Sequence, residues 1–353
     1  MPSNNNADGA PSSVETHPPI GVAIVGAGYW GPNLIRNFSA CTATRVVMVC
    51  DRDRARLDDV AKTCPQAVLT QTVDEVLTNP EVDAVAIATP VNTHTSLALA
   101  ALEAGKHVLV EKPLAGNARD AERIMRRAKE LGRTLMVDHT YVYSPAVRKI
   151  KAIIDSGELG ELYYIDSVRI NLGLFQNDIN VLWDLAPHDL SIIDHVLGRL
   201  PRSLAAMGVS HTSSDLEDMA YLNLDFGGSL MATFHVNWLS PVKVRHTIIG
   251  GSKRSLVYND LDPVEPLKIY DCGIQIDQKS EARYGILVGY RTGDIWSPNL
   301  PREEPLQNVV RHFADCIQTG KPPLTDGEAG LRIVRILEAA QRSIKAQGGR
   351  ITL

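Results

Sequence analysis

From Pro19 onward the chain alternates short, wholly apolar runs with longer stretches in which apolar residues recur at helical spacing. The runs Ile20–Val25, Val46–Cys50, Ala67–Leu69, Ala84–Ala88, Val108–Val110 and Leu135–Val137 predict strands buried on both faces. Between them, a stretch ending near Ala40 and the segments Asp53–Lys62, His94–Ala104 and Ala118–Leu131 predict helices, with Gly105 and Gly132 as stops. Strands and helices in this rhythm predict a parallel sheet with crossover helices.

Pro145 is placed to open a further helix to Ile154, and after Gly160 the pattern changes. Tyr163–Asn171, Leu222–Phe226, Leu230–Trp238 and Val242–Ile249 are strand-like runs with partial alternation, and Gly227-Gly228 sits between two of them as a hairpin turn. Pro187 belongs in the first turn of a helix, so the helix that ends before Gly198 is expected to begin near Asp184. Helices over Leu306–Thr319 and Gly327–Ala346 close the chain and can pack on either domain. The expected fold is an α/β Rossmann domain with a parallel sheet over residues 20–144. An α+β domain with a large, mostly antiparallel open sheet follows over 145–353, and a disordered tail, 1–19, precedes both.

Composition narrows the function classes. A length of 353 residues suits two sizeable cores, and 44% hydrophobic with 22% charged residues is ordinary for a folded protein. A net charge of -5 without a basic block argues against nucleic acid as a partner. Apolar runs far short of the roughly 20 residues that span a bilayer argue against a membrane partner. The five cysteines, Cys41, Cys50, Cys64, Cys272 and Cys316, are odd in number and form no Cys-x-x-Cys pair, so neither a disulfide framework nor zinc is expected. A reducing, cytoplasmic setting fits them. Met1–Pro19 lacks the basic and apolar regions of a secretion signal.

Candidate chemistry starts at Gly26-Ala27-Gly28-Tyr29-Trp30-Gly31, a G-x-G-x-x-G run directly after the first strand. Its glycines suit a tight turn, close approach of a pyrophosphate and close helix packing, with the phosphates on the helix N-terminus. Asp51 ends the second strand, where a carboxylate hydrogen-bonds ribose hydroxyls and repels the extra phosphate of NADP. NAD is therefore favoured over NADP, although Arg52 and Arg54 are each able to bind that phosphate.

Asp184 and His188 lie one helical turn apart. From the residues alone Asp184 is equally a helix cap, His188 an ordinary half-buried histidine and Lys112 a solvated lysine. The amides of Asn171, Gln176 and Asn180 suit either a polyhydroxylated substrate or turn chemistry. Arg148, Lys149 and Lys151 read as a solvated face before a diphosphate contact. His94, His139 and His195 do not combine with other residues into a metal-binding motif, so no metal is expected.

Two further segments, Ala88-Thr89-Pro90-Val91-Asn92-Thr93-His94 and Gly105–Ala115 with Glu111-Lys112-Pro113, complete a pattern that resembles the Gfo/Idh/MocA oxidoreductases from about residue 20 to the end. The run Asn171–Trp183 resembles the branch typified by UDP-N-acetylglucosaminuronate 3-dehydrogenase, whose substrates are nucleotide-linked sugars. The resemblance implies that Lys112 donates to the substrate oxygen, that His188 is the general acid/base, and that Asp184 orients His188 or shares its proton. It adds Tyr29, Trp30, Arg52, Thr89, Pro90, Asn92, Glu111 and Lys112 to the cofactor contacts and sets His94 beside the nicotinamide ribose. It implies a homodimer or homotetramer assembled through the open sheet.

The expected activity is NAD-dependent hydride transfer from a secondary hydroxyl of a sugar, at C3 of a nucleotide sugar. A free sugar, an inositol or a sugar phosphate is the alternative substrate. A non-catalytic NAD-binding regulator and a net elimination with transient redox at NAD are rival readings.

Overall fold

The computed structural model describes residues 18–173, 175, 178–212, 216–276 and 288–353. The predicted tail lies almost wholly outside these residues. The first half runs β1 (Ile20–Val25), α1 (Gly31–Ala40), β2 (Thr44–Cys50), α2 (Arg54–Thr63), β3 (Val68–Thr70), α3 (Val73–Thr78), β4 (Ala84–Ile87), α4 (Val91–Glu103), β5 (His107–Glu111), α5 (Ala118–Glu130) and β6 (Leu135–Asp138). A 3-10 turn, Thr140–Tyr143, leads to α6 (Pro145–Asp155). Then come β7 (Leu162–Leu172), α7 (Val181–Leu197), β8 (Ser203–Val209), β9 (Met219–Asp225), β10 (Met231–Asn237), β11 (Leu239–Gly251) and β12 (Ser255–Asn259). The chain closes with β13 (Leu267–Tyr270), β14 (Gly273–Ile276), β15 (Val288–Arg291), β16 (Ile295–Trp296), α8 (Pro305–Thr319), α9 (Gly327–Lys345) and β17 (Ile351–Thr352).

Strands β1 to β6 form one parallel sheet in the order β3-β2-β1-β4-β5-β6. Strands β1 and β4 are buried throughout, as expected for strands covered on both faces. The order reverses between β1 and β4, which opens a crevice at their carboxyl ends.

The second sheet has nine strands in the order β16-β13-β12-β11-β7-β10-β9-β8-β17 and is open. Its pairings are antiparallel except β7 with β10. The expected hairpin joins β9 to β10, and Gly227 and Gly228 take φ of 75° and 65° there. Helices α7 and α9 cover one face through Ala232, Phe234 and Val236 of β10 and Leu222 and Leu224 of β9. One hydrophobic core runs from β6 (Val137) through α7 (Ala186, Leu190) to this sheet, so the two halves share buried side chains. On the far side of the parallel sheet α8 lays Val309, Val310 and Phe313 on Val22, Ile24 and Phe38, the two phenylalanine rings meeting edge to face at 6.4 Å.

Helix α7 starts earlier than expected. Its cap is Asn180, whose side chain accepts from the Trp183 N–H at 3.1 Å, and Pro187 lies inside the helix. A proline there leaves the Trp183 carbonyl without its helical donor, and burial of Val181, Leu182, Trp183 and Ala186 outweighs that loss. Short strands after β11, too brief for an alternation signal, were not foreseen.

Candidate functional site

The crevice above β1 and β4 begins at the glycine loop. Gly26 has φ of 102°, and a Cβ there would sit 2.6 Å from the Ala88 carbonyl oxygen. A Cβ on Gly31 would lie 2.3 Å from the Gly26 carbonyl oxygen, so α1 packs on the loop only because that residue is glycine. Gly28 differs, because a Cβ would meet only the Arg56 guanidinium, at 3.2 Å. It borders the cavity, with space against bare backbone. Helix α1 has neither a capping side chain nor an acid in its first turn, leaving its positive end free for an anion.

Asp51 closes the other side. Its carboxylate oxygens accept the Ala27 and Asp53 N–H groups at 2.7 and 2.8 Å, and Arg56 stands 3.6 Å away. Carboxylate oxygens retain further lone pairs for ribose hydroxyls. Arg52 borders the same space, whereas Arg54 turns away to Asp58 at 3.1 Å. The basic neighbour that the sequence did not single out is Arg56. This cradle fits a dinucleotide: a bare glycine edge for the pyrophosphate, a helix terminus behind it, and a fixed carboxylate at the ribose position.

Across the crevice Lys112, at the end of β5, meets α7. Its ammonium donates to the Asp184 carbonyl oxygen at 2.8 Å and to Asp184 Oδ1 at 3.2 Å. Asp184 Oδ2 accepts the Trp238 indole N–H at 3.1 Å. Asp184 is therefore not the cap of its helix, and no hydrogen bond joins it to His188. Both carboxylate oxygens are engaged elsewhere, so the arrangement implied by the resemblance is replaced by one in which Asp184 secures Lys112.

His188, one turn on, packs edge-on against the Tyr141 ring at 5.1 Å. Its Nδ1 is enclosed without a partner, which leaves Nε2 as the ring nitrogen that opens on the cavity. Burial, then the charges of Lys112, Arg169 and Arg245, push this imidazole well below its usual range, so it is neutral at pH 7. Arg169 pairs with Asp189 at 2.7 Å in full burial, and Arg245 pairs with Asp260 at 3.2 Å. All four residues came from runs whose pairing no local pattern announces.

Glu111 and Asp138 end adjacent strands in register. Asp138 accepts from Thr140 Oγ1 at 2.7 Å and from the Trp30 indole N–H at 3.4 Å. Burial and the neighbouring Asp138 raise Glu111 well above its usual carboxylate value.

His94 borders the cavity, but its nitrogens face the Pro113 and Thr89 carbonyl oxygens at 2.9 and 2.8 Å. It ties the two loops together, and neither ring nitrogen is left for the ribose position that the resemblance implies.

Tyr29, Trp30, Thr89, Pro90, Asn92 and Asn171 border the cavity. Asn180 does not: it is buried, and besides capping α7 it donates to Glu217 and Gln341. Gln176 lies outside the described residues. Arg148 bonds the Tyr143 carbonyl and Glu303, and Lys151 pairs with Asp155. Among the described residues no group of His, Cys, Asp or Glu could hold a metal ion, and no helix is long and apolar enough to cross a membrane.

The cavity holds about 2360 Å³, and its lining includes Asp51, Lys112, His188, Lys243 and Arg302. Two family models match the chain: "Oxidoreductase family, NAD-binding Rossmann fold" over residues 20–139 and "GFO/IDH/MocA C-terminal domain" over 147–257. The chain belongs to the Gfo/Idh/MocA oxidoreductase family. An oxidoreductase of this architecture from Magnetospirillum magnetotacticum is 30% identical, with a TM-score of 0.78 over 91% of this chain and 99% of that one. UDP-N-acetylglucosamine 3-dehydrogenase GnnA from Acidithiobacillus ferrooxidans, 24% identical, shares the fold with a TM-score of 0.79 over 94% of this chain and 99% of GnnA. The NADP(+)-dependent scyllo-inositol 2-dehydrogenase IolW of Bacillus subtilis is 24% identical over 82% of this Gfo/Idh/MocA chain and 85% of IolW.

Proposed function

We propose that this protein is an NAD-dependent dehydrogenase of a secondary hydroxyl on a sugar, with C3 of a nucleotide sugar as the first choice. The observation that carries the reading is the convergence of Lys112 from one half and His188 from the other on one cavity, with Asp184 between them. Bound NAD supplies the hydride acceptor. Lys112 has three N–H bonds. Two are spent on Asp184, and the third is free for the substrate oxygen, where it stabilises negative charge as that oxygen loses its proton. Neutral His188 takes the proton at Nε2, with its own hydrogen on Nδ1. Burial, together with the charges of Lys112, Arg169 and Arg245, keeps His188 neutral and makes its protonated form a stronger acid, so the proton is readily returned in the reducing direction.

The cavity exceeds the roughly 300–1,000 Å³ typical of a single small ligand, which suits a dinucleotide together with an extended substrate. Lys243 and Arg302 in its lining are cations able to meet phosphate oxygens, and GnnA, which shares the fold, is named for a nucleotide sugar. IolW supports an inositol as the alternative substrate. Asp51 favours NAD over NADP. We propose further that copies pair through the face of the second sheet opposite α7 and α9. Incubation with NAD and a panel of nucleotide sugars, free sugars and inositols, followed by NADH absorbance, tests the reading. NADH with a nucleotide sugar is expected, and its absence with every member of the panel overturns the reading.

A further inference from the structure

The Tyr141 hydroxyl stands apart from the residues that the mechanism uses. It lies on the turn between β6 and α6 and borders the cavity. Arg245 Nη1 donates to it at 2.7 Å and Arg169 Nη1 at 3.4 Å. The Arg169 guanidinium also lies over the tyrosine ring, 4.7 Å from its centroid.

A phenolic oxygen both accepts and donates. Its accepting side is taken by two guanidinium groups, and among the described residues no acceptor takes its O–H. That O–H is left for a ligand, on a ring that touches His188 edge-on at 5.1 Å. The two arginines cannot serve as free cations, because Asp189 and Asp260 pair with them. The wall therefore carries balanced charge and offers one polarised O–H beside the general base.

We propose that Tyr141 donates a hydrogen bond to a substrate hydroxyl vicinal to the carbon that is oxidised, and so fixes that carbon against His188. The inference rests on the sugar-dehydrogenase reading above and narrows its substrate to a vicinal diol or a longer polyol. The partner is read as a hydroxyl and not a carboxylate because both neighbouring cations are already paired. Guanidinium donation into the phenolic oxygen polarises the O–H and strengthens it as a donor.

Tyr141→Phe removes the hydroxyl and keeps the ring. With the sugar from the panel that gives NADH, kcat/KM is expected to fall about tenfold, the worth of one hydrogen bond to an uncharged group. Titration with NADH should match wild type. On the deoxy analogue lacking the vicinal hydroxyl, variant and wild type should be equal, and wild type alone should lose about the same tenfold on that analogue. Equal kcat/KM for variant and wild type on the parent sugar overturns the assignment. So does a loss that persists on every deoxy analogue, which would mark a structural role. If wild type reduces NAD with no sugar, the dehydrogenase reading fails and this inference with it; wild-type turnover with an unaffected variant overturns the inference alone.

Discussion

Asp184 holds Lys112 by two oxygens, its own backbone carbonyl and one carboxylate oxygen, while Trp238 secures the other carboxylate oxygen. The contact joins residues 72 positions apart and ties the end of a Rossmann strand to the helix that carries His188. It makes the separation of the lysine from the histidine a property of the packed molecule. Asp184→Asn keeps the carbonyl contact and removes the charged one. We expect kcat to fall about a hundredfold, as for a small misplacement of a catalytic group, with NADH affinity retained. Wild-type turnover in steady-state kinetics would contradict it.

The cofactor cradle gives the second expectation. Asp51 is fixed by two backbone N–H groups, so its charge stays at the ribose position. NAD should bind more tightly than NADP. Asp51→Ala should narrow the gap by removing the ribose bonds and the repulsion together, the more so because Arg56 and Arg52 border that space. Titrations with NADH and NADPH measure both affinities, and a wild-type preference for NADPH would refute the assignment.

How much of this was legible beforehand depended on how local each signal is. The G-x-G-x-x-G turn, the strand rhythm and the Gly227-Gly228 hairpin are written in neighbouring residues, and they lie where the pattern put them. The partner of Asp184 was not legible, because helix spacing reports only that His188 shares its face, whereas Lys112 and Trp238 arrive from other elements. Asn180 misled for the opposite reason: an amide ahead of a helix is as much a cap as a ligand contact, and only its burial against Glu217 and Gln341 decides between them. Pro187 points to a later helix start than the true one because proline is costly inside an isolated helix, whereas the first turn of α7 is held by packing into the core.

In the proposed reaction His188 is the base, and it is expected to set the acid limb of activity. Free imidazole titrates near 6.5, and burial beside Lys112, Arg169 and Arg245 pushes this one well below that value. As the base for hydroxyl oxidation it stays competent in mild acid, so the acid limb of kcat/KM should lie below about pH 6.5. A limb at or above that pH would show that burial and the three cations do not act together on it.

The same burial has a stability consequence. His107 is pushed down to about 4 and His139 to about 3, both chiefly by burial, and neither binds a proton in the folded chain until those pH values. The unfolded chain takes up these protons near pH 6.5, so it binds more protons below that point and stability falls as pH drops from about 6.5 toward 3. Glu111, raised in the folded state, has the opposite slope: its contribution is present at low pH and lost as pH rises through its folded value. The histidines outnumber it, and the melting temperature should fall between pH 7 and pH 4.5. His139→Gln should flatten that fall by on the order of 2 kcal/mol at pH 4.5. An unchanged slope in the variant would remove His139 from the account.

The outer face of the second sheet carries a row of side chains in register, one per strand: Met207, Tyr221, His235, Val168 and His246. Tyr221 and His235 stack at 4.3 Å with 8° between their planes. Met207 is 66% exposed, Met231 54% and Tyr221 48%, values high for large side chains grouped on a single sheet face. A sheet face turned to water is ordinarily polar, and a mixed row with exposed methionine and tyrosine side chains suits a surface that another molecule covers. Since α7 and α9 occupy the opposite face, a second copy is the natural cover, and a standard interface of about 1,600 Å² holds at micromolar concentration. Light scattering should therefore return at least twice the mass of one chain. Tyr221→Glu, which sets a charge in the middle of the row, should shift it toward the single-chain mass without lowering NADH affinity, because Tyr221 does not border the cofactor cavity. A wild-type protein that scatters as one chain would remove the interface.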